Sequence, residues 1–132
     1  MALIPYVRTA TVAAALLIFP AFAQQAPAPS ALDRVERGLW EVRGAGGANL
    51  GSICLGEPAL LAQLQHRGSA CALDVVDSTA RSATVQYSCR GQGSGRSILR
   101  VETPRLVQID SQGLDSGTPF AIRAQARRTG PC

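Results

Sequence analysis

The segment YSCRGQGSGR, Tyr87 to Arg96, sets three glycines within five residues beside a cysteine and two arginines, a composition that suits a phosphate-cradling loop. A dinucleotide loop needs GxGxxG between a strand and a helix, with the helix N-terminus facing the pyrophosphate. Here the third glycine position is Arg96, and the residues that follow, from Ser97, alternate as a strand does. The phosphate-loop pattern of nucleotide hydrolases also requires a lysine, and the chain has none. Gly91 to Gly95 therefore reads as a hairpin turn between a strand ending at Cys89 and one beginning near Ser97.

The remaining chemistry-bearing residues are equally restrained. A Ser-His-Asp arrangement would have to use the single histidine, His66, which falls at a predicted helix end beside Arg67, where it favours the helix dipole without a catalytic partner. Asp74 with Asp77, and Asp110 with Asp115, are close in sequence but read as solvent faces or turns. Paired-carboxylate hydrolysis needs one acid in an apolar setting, and no acid falls on the inward pattern. The expectation is a non-catalytic protein without catalytic residues or cofactor. Cys54, Cys71, Cys89 and Cys132 are spaced by 17, 18 and 43 residues, with no CxxC pair, so metal ligation is not expected. An even count favours two disulfides if the chain is exported.

Export is what the start of the chain suggests. A basic tip ending at Arg8, an uncharged apolar run from Thr9 to Phe22 and the small-x-small site Ala21-Phe22-Ala23 form a signal peptide over 1–23. The run is short for a membrane span and no cysteine follows the site, so stable membrane insertion after cleavage is not expected and the location is periplasmic or secreted. Residues 24–37, rich in Pro and Ala, are expected to form a flexible linker, and 38–132 one small domain that needs staples. All 13 basic residues are Arg. Loss of Arg8 leaves 12 − 9 = +3, and the aromatics left are Trp40, Tyr87 and Phe120, so neither charge nor stacking platforms suit nucleic acid.

Period-two alternation dominates the domain. Cys71, Leu73 and Val75 share one face, and a hairpin centred on Ala80 pairs them with Cys89, Tyr87 and Val85 in a single register. Leu99 and Val101 face Val107 and Ile109 across a turn at Thr103-Pro104-Arg105. Phe120, Ile122, Ala124 and Ala126 continue the apolar face after DSGTP, while GLWEVR places Trp40 and Val42 together, and a glycine-rich turn leads to a second strand carrying Cys54. One helix is predicted after Glu57-Pro58, ending at Gly68, with Leu60, Leu61 and Leu64 as its buried stripe; that stripe reads as a core contact rather than a ligand lid. The fold class is mainly β: a small curved antiparallel meander or half-open barrel of about seven strands with one short helix, stapled by two disulfides.

The hairpin register sets Cys71 against Cys89, and if the last strand pairs antiparallel with the first, Cys54 and Cys132 meet at the opposite end. Sequential pairing, Cys54 with Cys71 and Cys89 with Cys132, is the rival. Gly38-Leu39-Trp40-Glu41-Val42, Cys54-Leu55 before an acidic-proline helix start, Cys71, Val85-x-Tyr87-x-Cys89 and the closing RRTGPC together resemble the domain-of-unknown-function 3617 family of small exported bacterial proteins. The resemblance implies an exported four-cysteine β domain and nothing catalytic; this chain departs from it in a short glycine-rich stretch before Cys54, where members carry a longer segment containing Met and Pro. The functional expectation is a binding module for a small apolar ligand, its cavity lined by Trp40, Val42, Leu60, Leu64, Leu73, Tyr87, Leu99, Val101, Val107, Ile109, Phe120 and Ile122. The alternative is a structural or protein-interaction domain of the cell envelope.

Overall fold

A computed structural model describes residues 30–132; the expected signal sequence and the first part of the expected linker, 24–29, lie outside the described residues. Alternation of apolar and polar side chains produces seven strands: β1 (Gly38–Gly44), β2 (Asn49–Leu55), β3 (Cys71–Ser78), β4 (Ser82–Cys89), β5 (Gly93–Thr103), β6 (Leu106–Asp115) and β7 (Thr118–Gly130). They form one antiparallel sheet in the order β2-β1-β7-β6-β5-β4-β3. The expected hairpin register is present, with Cys71 opposite Cys89, Leu73 opposite Tyr87 and Val75 opposite Val85. Leu99 lies opposite Ile109 and Val101 opposite Val107.

The last strand does pair with the first, Val42 opposite Ala126, but the sheet stays open, with β2 and β3 as its edges. Two 3-10 segments, η1 (Ala31–Arg34) and η2 (Pro58–His66), cover the inner face. Leu61, Ala62 and Leu64 of η2, together with Ala31 and Leu32 of η1 and the adjacent Val35, pack on Trp40, Val42, Val85, Leu99, Val107 and Ala126. Fully burying each large apolar side chain in such a layer contributes about 1.5–3 kcal/mol. Because these segments shield the inner face from water, the sheet need not roll until its edges meet. Both disulfides pair as the meander requires, Cys54 with Cys132 and Cys71 with Cys89, their Cα atoms 5.5 and 4.2 Å apart.

Four expectations are corrected. From Ser30 onward the expected linker is part of the fold. The Ser30 side chain accepts from the Leu32 amide at 3.2 Å while Asp33 accepts from the Ser30 amide at 2.9 Å, a reciprocal cap. The Ala31 and Glu36 amides donate to Thr79 and Pro104 carbonyls, both at 2.9 Å, and Ala31, Leu32 and Val35 are buried. The Pro/Ala composition upstream hid this short cap and its three apolar residues. The helix, η2, winds with three residues per turn, so Pro58, Leu61 and Leu64 are buried and Leu60 only half-buried; it kinks at Gln63. Strand β5 begins at Gly93, not near Ser97, since Gln92 N donates to Cys89 O at 3.1 Å and closes the turn early. Val75, expected inward, is 45% exposed because edge strand β3 runs beyond the cover of η2.

Candidate functional site

Inside the sheet, polar side chains occupy inward positions that an apolar core would otherwise fill. Ser97 precedes Leu99 and Val101 on the inner face of β5, and Ser111 follows Val107 and Ile109 on β6. Both serines are fully buried and lie opposite one another. Ser97 Oγ donates to the Ala62 carbonyl at 2.5 Å and sits 2.7 Å from Ser111 Oγ, which ties η2 to the sheet. Beside them the Tyr87 ring lies across Gly95, its cross-strand partner; a β-carbon on Gly95 would come within 2.6 Å of that ring. Gly95 is thus a packing requirement of Tyr87, while a β-carbon on Gly93 would collide with the Leu114 carbonyl of β6.

His66, at the end of η2, is 5% exposed. Its Nδ1 lies 3.2 Å from Tyr87 Oη, and its Nε2 lies 3.3 Å from the Gln92 carbonyl and 3.7 Å from Asp115 Oδ1. A carbonyl only accepts, so Nε2 carries a proton; in the neutral ring Nδ1 then accepts from the Tyr87 hydroxyl. The ring also meets Tyr87 and Phe120 edge to face, at 5.6 and 5.8 Å between centroids. Burial pushes the Tyr87 phenol above its ordinary value near 10, opposed by the Ser111 hydrogen bond and assisted by the Asp115 charge. His66 therefore faces a phenol, not a serine, and the geometry fastens η2 to β4, the β4–β5 turn and the end of β6. Reading His66 from its helix-end position alone missed these contacts. Inward Ser97 and Ser111, which continue the apolar alternation, were the available signal.

Of the residues expected to line a cavity, Trp40, Val42, Leu64, Tyr87, Leu99, Val101, Val107 and Ile109 are buried, while Leu60, Leu73, Phe120 and Ile122 are half-buried. All of these except Tyr87 and Phe120, which meet His66 at the end of η2, belong to the apolar cluster that η1 and η2 share with the sheet. Among the described residues no group of three His, Cys, Asp or Glu side chains is placed to hold a metal ion, and no helix is long and apolar enough to cross a membrane.

The outer face of the same sheet carries a cleft of about 550 Å³ over β5, β6 and β7, closed on one side by Gly44 and Ala45 of the β1–β2 hairpin. Period-two alternation places Arg100 opposite Gln108, Gln108 opposite Gln125, Ile98 opposite Asp110 and Asp110 opposite Arg123. Arg123 Nε forms an exposed ion pair with Asp110 Oδ2 at 3.3 Å. Ile98 is 46% exposed, an apolar patch among planar polar groups. Guanidinium, amide and carboxylate groups side by side offer donors and acceptors to an oxygen-rich ligand, and Ile98 offers it an apolar floor. No family model, curated protein or solved structure matches the chain.

Proposed function

We propose that the protein is an exported, non-catalytic binding domain of the cell envelope that receives its ligand on the outer sheet face. The observation that carries this reading is the cleft at Ile98, Arg100, Gln108, Asp110, Arg123 and Gln125, set on the three central strands of a sheet whose inner face is already occupied. Two disulfides support an oxidising compartment, in keeping with the signal sequence read at the chain start. A site built on hydrogen-bonded strands holds its groups in fixed register, which favours recognition over chemistry that needs a sealed, water-free pocket. The small apolar ligand expected from the sequence would have to displace η1 or η2, so the ligand proposed here is polar and oxygen-rich, of the saccharide kind.

Native mass spectrometry of the protein released from its own envelope tests this. A retained ligand is expected, and Arg123→Gln should weaken its retention about tenfold, the loss of one charge-assisted contact. Retention unchanged in Arg123→Gln, in a variant that keeps both disulfides, would refute the assignment to this face.

A further inference from the structure

The two disulfides differ in how they meet solvent. Cys71 opens β3 and Cys89 closes β4, directly opposite one another, with Cys71 half-buried and Cys89 only 3% exposed. Cys54 and Cys132, by contrast, are both exposed. Cys54 lies one residue before the end of edge strand β2. The ladder of β7 stops at Gly130, opposite Leu39, and Cys132 stands two residues beyond it, outside any strand. Leu39 is therefore the cross-strand partner of Cys54 on one side and of Gly130 on the other. Directly opposed residues point to the same face of a sheet, and Leu39 is 37% exposed, so an apolar side chain stands in solvent beside Cys54.

We propose that the Cys54–Cys132 bond is a site of thiol–disulfide exchange with a dithiol carrier protein, and that the Cys71–Cys89 bond is not. Exchange requires a thiolate to reach one sulfur of the bond, so access governs its rate. The exposed pair grants that access and the burial of Cys89 denies it. The carrier's first thiolate attacks Cys132 Sγ, because Cys132 lies outside the strand ladder and its sulfur can turn toward an incoming group, whereas Cys54 is fixed opposite Leu39. A mixed disulfide forms, and Cys54 leaves as a thiolate that takes up a proton. The carrier's second thiol, deprotonated, then attacks its own partner sulfur in the mixed disulfide and releases Cys132, which is protonated in turn. The carrier's dithiol becomes a disulfide and this chain gains two thiols, so electrons and protons balance. Leu39 gives the carrier an apolar contact beside the reacting pair. The exchange frees β2, which leads through buried Leu55 into η2, from the chain end, while the hairpin bond stays closed. This does not rest on the outer-face reading, since neither Leu39 nor any cysteine lines that cleft.

The test treats the oxidised, folded protein with dithiothreitol or with reduced thioredoxin, quenches with N-ethylmaleimide at intervals and maps the label by peptide mass. Cys54 and Cys132 should be labelled about tenfold or more faster than Cys71 and Cys89. Their rate should not change in urea well below the unfolding midpoint, because the folded chain itself reacts. Thioredoxin whose second active-site cysteine is replaced by serine should be trapped on Cys132. Leu39→Gln should slow thioredoxin about threefold, the loss of a partly buried apolar contact, and leave dithiothreitol unaffected. Equal rates for the two bonds, or a rate that climbs steeply with urea, mean that unfolding must come first and overturn the proposal, as does trapping on Cys71 or Cys89. Trapping on Cys54 overturns the order of attack, and equal thioredoxin rates in wild type and Leu39→Gln overturn the docking role of Leu39.

Discussion

Replacing Cys54 and Cys132 together with serine frees the end of β2 from the end of the chain. The bond spans 78 residues of sequence, so in the chain-entropy treatment its removal returns about 4.5 kcal/mol of freedom to the unfolded state. The Cys71–Cys89 bond spans only 18, for about 3 kcal/mol. Little in the folded state offsets the first loss, because Cys132 lies beyond the end of β7 and is exposed, and β2 is an edge strand paired only with β1. Urea unfolding followed by Trp40, the sole tryptophan and fully buried, reads the effect. With an m-value of about 2 kcal/mol/M, the midpoint should fall by about 2 M for the Cys54/Cys132 pair and by less for Cys71/Cys89. Equal losses, or a larger loss from the hairpin pair, would refute loop closure as the source of this stability.

Tyr87 predicts the alkaline limit. Burial raises its pKa in the folded state, so its contribution is fully present below the unfolded value near 10 and is lost as pH rises through the higher folded value. Thermal midpoints should therefore fall above about pH 10, and Tyr87→Phe should flatten that fall; an unchanged alkaline slope in the variant would exclude Tyr87 as the cause. Leu32→Ala should cost about 2 kcal/mol if η1 belongs to the core, and a cost under about 0.5 kcal/mol in urea unfolding would return the segment to linker status.

Much of the architecture was legible because strands have a period of two. Leu73, Tyr87, Leu99, Val101, Val107 and Ile109 alternate with polar residues, and only one hairpin register puts all of them inward with Cys71 opposite Cys89. The pairing of Cys54 with Cys132 followed from counting strand reversals and letting the last strand meet the first. Outward Arg100, Gln108, Asp110 and Arg123 were readable as a polar face by the same alternation.

What sequence pattern could not reach are the contacts between elements that carry no shared period. Whether the inward side chains enclose a cavity or a packed layer depends on where η1 and η2 lie, and a four-residue segment such as Ala31–Arg34 has too few residues to show periodicity. His66 reaches Tyr87 across 21 residues, Gln92 across 26 and Asp115 from a third element. Local alternation therefore decides which face each residue takes and which strands are neighbours. Docking across the sheet decides which of those residues meet, because it is set by summed burial over both segments and not by any residue's immediate neighbours.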